Sequence, residues 1–182
     1  PGPVCGVPNV SDYSEVIRHH RRDHLSRPKS LPRGVHRFFE TTLLPLPVEK
    51  VFDFFSRAEN LQAITPPELD FRILTPTPIE MRVGTLIDYR LKLHGIPFGW
   101  RTRIAHWDPP YGFVDEQLRG PYALWIHTHT FSDEGGRTRM DDEVLWKLPL
   151  WPLGEVAYPF VKPKVEGIFS YRRRRLKELL GV

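Results

Sequence analysis

An α+β domain is what this sequence predicts: a curved seven-stranded antiparallel sheet wrapped on a long C-terminal helix, with two short helices after the first strand and an internal cavity. Three observations carry the prediction. The elements read strand, two helices, six strands, long helix; the links between late strands are short enough for hairpins; and one long amphipathic segment stands at the C-terminal end. A sheet with one apolar face must cover it, and that last helix is the only element large enough.

The first strand is Val35 to Leu44, where apolar and polar residues alternate until Pro45-Leu46-Pro47 breaks the pattern. Val48 to Phe55 then has helical apolar spacing with Pro47 near its first turn, and a second short helix from Ala58 to Ile64 stops at Pro66-Pro67. Strands follow at 70–75, 85–94, 98–107, 113–118, 123–131 and 138–148. Asp108-Pro109-Pro110-Tyr111-Gly112, Gly120-Pro121 and Asp133-Glu134-Gly135-Gly136 link the last four as hairpins. Residues 149–163 form a Pro-rich connection, and Pro163 suits the start of the final helix, which runs to Leu180 with Val165, Ile168, Phe169, Leu176 and Leu180 as its apolar stripe.

At 182 residues, 40% hydrophobic and 12% aromatic, the chain can bury one sizeable core. Residues 1–34 read as a basic, Pro-rich extension: six Lys/Arg against three acids give it three of the four net positive charges. Asp12 and Glu15 make a capping-box-like start for a short helix through Leu25. Its His19-His20-Arg21-Arg22-Asp23-His24 run reads as a solvated face, since no aromatic is interleaved for stacking on bases. The near-neutral remainder, residues 35–182, is expected to be the ligand-binding domain, with no nucleic-acid partner. Cys5 is the single cysteine, which excludes an intrachain disulfide and a Cys-rich zinc site and favours a reducing, cytoplasmic location. No apolar run is long enough to span a bilayer, and Pro1-Gly2-Pro3 does not open like a secretory signal; no stable membrane anchor is expected.

The stretch from Phe113 to Trp146 departs from ordinary patterning. Alternation puts Phe113, Trp125, Phe131, Met140, Val144 and Trp146 on the covered face, and the same face receives Asp115, Gln117, His127, His129 and Asp142. Buried carboxylates and imidazoles cost several kcal/mol unless paired, so a polar cluster within an aromatic wall points to a ligand pocket. A hairpin at Gly120-Pro121 that pairs Gln117 with Trp125 sets Asp115 opposite His127. A turn at Gly135-Gly136 that pairs Met140 with His129 sets Asp142 opposite His127 from the other side. Opposed Cβ atoms are about 4.5–5.5 Å apart, so the three side chains would meet in a row. A two-residue slip would put His129 there instead.

Residues 35–180 resemble the START-like, helix-grip ligand-binding superfamily. The resemblance rests on Leu46-Pro47-Val48-Glu49-Lys50-Val51-Phe52-Asp53-Phe54-Phe55 followed by Asn60-Leu61-Gln62-Ala63-Ile64-Thr65-Pro66-Pro67. The pattern Phe113-x-Asp115-Glu116-Gln117-x-x-Gly120-Pro121-Tyr122-x-x-Trp125-x-His127-x-His129-x-Phe131, with Thr138-x-Met140-x-Asp142-x-Val144, is similar to a bacterial polyketide cyclase/dehydrase-like subgroup. Members of that subgroup occur alone and fused to sugar-nucleotide-epimerase-like proteins. The resemblance implies a helix-grip fold and a cavity for a small hydrophobic or amphipathic molecule, lipids included, more firmly than it implies a reaction.

Three roles fit the polar row: a network that orients a ligand's polar end, an acid–base centre with His127 as proton shuttle and Asp115 and Asp142 beside it, or a metal site using His-x-His and a carboxylate. The first is the expectation, and no metal or cofactor is expected. Tyr89, Trp100, Phe113, Trp125, Phe131 and Trp146 are expected to form the apolar wall, with Trp100 as a stacking surface. Leu91, Leu93, Thr102, Ile104 and His106 should alternate onto the same inner face. Arg172-Arg173-Arg174-Arg175 is expected to be a solvated run that complements the helix dipole. The ligand-binding expectation therefore comprises Tyr89, Trp100, Phe113, Asp115, Gln117, Trp125, His127, His129, Phe131, Asp142 and Trp146. The runner-up is a cyclase- or dehydratase-type enzyme acting without a cofactor.

Overall fold

The computed structural model describes residues 31–93 and 95–182. The expected helix between Asp12 and Leu25 lies outside them. The described strands are β1 (Val35–Leu44), β2 (Arg72–Ile73), β3 (Leu86–Leu93), β4 (Ile96–Asp108), β5 (Gly112–Arg119), β6 (Leu124–Asp133) and β7 (Thr138–Lys147). The helices are α1 (Val48–Phe55), α2 (Asn60–Ala63) and α3 (Tyr158–Leu180), with single 3-10 turns at Pro67–Leu69 and Leu153–Ala157.

The strands form one antiparallel sheet in the order β1-β7-β6-β5-β4-β3-β2. Hairpins make β2 through β7 neighbours in sequence order. The last strand then pairs with the first over ten residues, from Val35↔Lys147 to Leu44↔Thr138. Helix α3 lies against the concave face. Its buried Val165, Phe169 and Leu176 recur at the four- and seven-residue spacing of one helical face. Val165 and Phe169 pack with Val144, Trp146 and Leu148, whereas Leu176 joins Leu44, Val51, Phe52, Phe131 and Met140. Burying each such side chain contributes about 1.5–3 kcal/mol. Helix α1 turns Val48, Val51, Phe52 and Phe55 inward and closes one end of the sheet.

Four details differ from the sequence expectation. The expected strand over 70–75 shrinks to Arg72–Ile73, because Pro67–Leu69 makes a 3-10 turn and Asp70 takes φ 41°. Helix α3 starts at Tyr158, not Pro163; Pro159 occupies its first turn, where a missing N–H is harmless, and Pro163 sits inside the helix. A bulge between Ile104 and His106 interrupts the alternation of β4, so Trp107, not His106, packs inward against Phe52 and Phe113. Finally, β6 and β7 pair as His129↔Asp142, Phe131↔Met140 and Asp133↔Thr138, two residues from the expected register. Gly135 and Gly136 both take positive φ, 67° and 84°, and so become the two central residues of the turn, which moves the hairpin's centre.

Candidate functional site

Between the concave face of β3 to β6, helices α1 and α2, and α3 lies a cavity of about 170 Å³. Its wall is mainly apolar and aromatic, with Phe55, Leu61, Phe71, Ile87, Trp100 and Phe169 among the lining residues. Of its charged and imidazole-bearing residues, Arg57 and Arg172 come from the helical side, whereas Asp115, His127 and His129 stand together on the sheet, an arrangement suited to holding a greasy body and fixing one end of it.

Seven of the expected ligand-site residues line this cavity: Tyr89, Trp100, Phe113, Asp115, Trp125, His127 and His129. Trp100 meets Trp125 edge to face, with ring centres 5.4 Å apart at 87°. The Tyr89 hydroxyl and Thr102 Oγ1 are hydrogen-bonded, and Trp100 Nε1 donates to the same Thr102 oxygen at 3.1 Å. Burial pushes the Tyr89 hydroxyl well above its ordinary range, so it remains neutral.

The other four expected residues do not reach the lining. Phe131 packs in the core against Phe52 and Phe55. Trp146 stacks with Tyr158, ring centres 5.7 Å apart. Gln117 closes the β5–β6 turn: its Nε2 donates to the Tyr122 carbonyl at 2.6 Å, and its Oε1 accepts from the Tyr122 N–H at 3.4 Å. A Cβ on Gly120 would stand 2.2 Å from that Oε1, so any larger residue there would displace the Gln117 side chain from these bonds. Asp142 is 2% exposed and lies behind the two imidazoles.

Antiparallel pairing sets Asp115 opposite His127 and His129 opposite Asp142, and the four side chains converge into a quartet. His127 Nε2 is 3.0 Å from Asp142 Oδ1, and its Nδ1 is 3.6 Å from Asp115 Oδ2. His129 Nε2 is 3.2 Å from Asp115 Oδ2. Its Nδ1 is 2.9 Å from Asp142 Oδ1 but too far out of line to form a hydrogen bond. Phe113 stacks on the His129 ring at 4.2 Å, and Phe169 meets His127 edge-on at 5.3 Å. The row is therefore wider than the expected Asp-His-Asp triad, because the shifted register places Asp142 within reach of both rings.

Electrostatics sort the four groups. Burial, reinforced by the His129 charge, lowers the His127 imidazole to about 4 and leaves it neutral near pH 7. Burial opposes charge on His129 as well, but its contacts with Asp115 and Asp142 outweigh that and hold it above the ordinary imidazole range. Burial pushes both carboxyls up; the hydrogen bonds and charges of the two rings overcome it and keep Asp115 and Asp142 below the usual carboxylate range. Donor atoms of Asp115, His127 and His129 lie within 4.8 Å of one another, the one group of three potential metal ligands among the described residues.

Arg172 is the functional candidate that sequence reasoning missed. It lines the cavity from α3, with its guanidinium carbon 4.8 Å from the Phe169 ring centre. A signal was present: Arg172 falls within the stripe Val165, Ile168, Phe169, Leu176 at helical spacing, and reading it as part of a four-arginine run hid that position.

Residues 44–167 match the family described as "Polyketide cyclase / dehydrase and lipid transport". No curated protein matches the chain. Among solved structures, protein Ms6760 from Mycobacterium smegmatis is similar at 16% identity and TM-score 0.59, over 80% of this chain and 90% of that one. TTHA0849 from Thermus thermophilus matches at 17% identity and TM-score 0.57, over 79% and 99% of the two chains. A nucleoside-diphosphate sugar epimerase from Corynebacterium glutamicum matches at 24% identity and TM-score 0.58; 79% of this chain is covered but only 29% of that one. These structural likenesses speak to the fold alone. With that family's match running over residues 44–167, more than half of its length, and with the sheet and long helix in place, this chain belongs to the polyketide cyclase/dehydrase and lipid transport family.

Proposed function

We propose that the protein binds a small hydrophobic or amphipathic molecule in its cavity, as a carrier or sensor, and that the polar wall orients one end of it. The observation that carries this reading is the make-up of the lining: Trp100, Trp125, Phe113 and Tyr89 provide an aromatic wall, and Asp115, His127 and His129 stand together within it. Asp142 holds the two rings from behind, and Gln117, Phe131 and Trp146 fix the strands that carry them. The imidazole nitrogens are largely engaged with carboxylates, so the reading requires neither metal nor cofactor. Nor does it require a membrane anchor, and no helix among the described residues is long and apolar enough to cross a membrane. We place the protein in the cytoplasm.

A second reading, a cyclase- or dehydratase-type enzyme with His127 as acid–base group, is favoured by one observation. A neutral imidazole on the wall of an apolar cavity, flanked by Asp115 and Asp142, can accept a proton from a bound substrate and return it.

N-Phenyl-1-naphthylamine, a neutral dye that brightens in apolar surroundings, tests the binding reading. It should bind the native protein and quench the cavity tryptophans. Leu91→Trp, which fills space from β3, should weaken that binding at least tenfold while circular dichroism shows the fold intact. A wild type that binds no dye, or a folded Leu91→Trp protein that binds it unchanged, would remove the cavity from the function.

A further inference from the structure

We infer that the cavity's ligand is an anion, with a single acidic head hydrogen-bonded to the guanidinium of Arg172. The inference rests on the binding reading above and names the class of molecule bound. Arg172 Nε is buried and has no hydrogen-bond partner among the described residues. A buried donor left unpaired costs about 1–3 kcal/mol, more when charged, and the side chain that carries it lines the cavity, so a small turn of the guanidinium toward a bound oxyanion would supply the missing partner.

The neighbouring acids are already engaged. Asp115 and Asp142 face the two imidazoles, and Glu40, the acid on β1 nearest α3, pairs with Arg173. The other arginines of the run are also accounted for: Arg175 pairs with Glu178, and Arg174 lies 5.3 Å from the Tyr171 ring centre. Contact with Phe169 holds the Arg172 guanidinium against the cavity wall, where its flat donor edge matches a carboxylate or similar oxyanion. The body of the ligand would then lie along the aromatic wall. Among the described residues that line the cavity, His129 also has an unpartnered buried atom, but its Nδ1 points toward Asp142, behind the wall.

A matched pair of ligands isolates the charge. N-Phenyl-1-naphthylamine bound to the full-length protein is displaced by decanoate and, separately, by decan-1-ol, which share an alkyl body and differ in charge. Arg172→Gln should raise the inhibition constant of decanoate at least tenfold and leave that of decan-1-ol within twofold. Arg172→Lys should fall between, and Arg174→Gln, on the exposed side of the same turn, should resemble the wild type. If dye and both displacers bind but Arg172→Gln leaves their ratio unchanged, the anion inference fails and the binding reading survives. If the dye and both displacers fail to bind the wild type, the binding reading itself fails. Should Arg172→Gln lose its fold, the ratio measured with Arg172→Lys decides: an unchanged ratio overturns the inference, and a smaller preference for decanoate supports it.

Discussion

Two imidazoles and two carboxylates meet in four nitrogen–oxygen contacts, and a neutral imidazole has one N–H to give, whereas a protonated one has two. With His127 neutral and His129 charged, three N–H groups serve four contacts. The longest of the four is His127 Nδ1 to Asp115 Oδ2, at 3.6 Å, and it is the natural one to lack a proton. His127 then carries its N–H on Nε2, donated to Asp142 at 3.0 Å. The signs of the pH dependence follow. The unfolded chain protonates His127 near 6.5, but the folded chain resists until about 4; its contribution to stability is full above 6.5 and falls as pH drops through that window. His129, raised on folding, stabilises fully below 6.5 and loses its contribution as pH rises through its folded value. Imidazole titration by NMR should find one ring neutral down to nearly pH 4 and another still charged above 6.5. In Asp142→Asn the charged ring should lose its proton at lower pH. Two rings that both titrate near 6.5 would break the quartet.

Gly135 and Gly136 decide what β6 and β7 bring together. Their positive φ centres the hairpin, aligns His129 with Asp142, and lets one carboxylate serve both rings. No atom lies within 4 Å of a Cβ added to either glycine, so alanine there introduces backbone strain without a clash. Each substitution should cost about 1 kcal/mol in urea unfolding, with dye binding retained. A neutral result would mean that the turn does not hold the register. The same hairpin shows what sequence can convey. Alternation alone identified the inward-facing Asp115, His127, His129 and Asp142, and the Gly120-Pro121 turn gave the Asp115↔His127 pairing. The β6–β7 register depended on which two residues took positive φ, a choice that hydrophobic pattern does not encode. The bulge at Ile104/His106 was hidden for a similar reason: one extra residue changes which neighbour faces inward while the composition stays the same.

At the scale of the whole molecule, the order of elements was enough to imply a sheet wrapped on its last helix, because the sheet's apolar face has no other cover. Which helix residues reach the cavity was less legible: an arginine within an apolar stripe can leave toward solvent or turn inward, and the packing of Phe169 decides. The division of the chain near residue 34 remains an expectation with a direct test. Among the described residues, the buried apolar members of the four core clusters lie at Leu44 or beyond, and the partly buried ones that pack against them begin at Phe38. Near the proposed boundary, the Val35 N–H donates to the Pro32 carbonyl at 3.0 Å, so a cut just before Pro32 preserves the entry to β1. A chain beginning at Pro32 should therefore melt within about 5 °C of the full chain, which corresponds to at most ~2 kcal/mol for a domain of this size. It should also bind N-phenyl-1-naphthylamine with unchanged affinity and elute earlier from a cation exchanger, since residues 1–31 carry five Lys/Arg against three acids and half of the net positive charge goes with them. A shortened chain that is molten, insoluble or unable to bind the dye would make residues 1–31 part of the folded unit, and the extension would then belong to the binding domain.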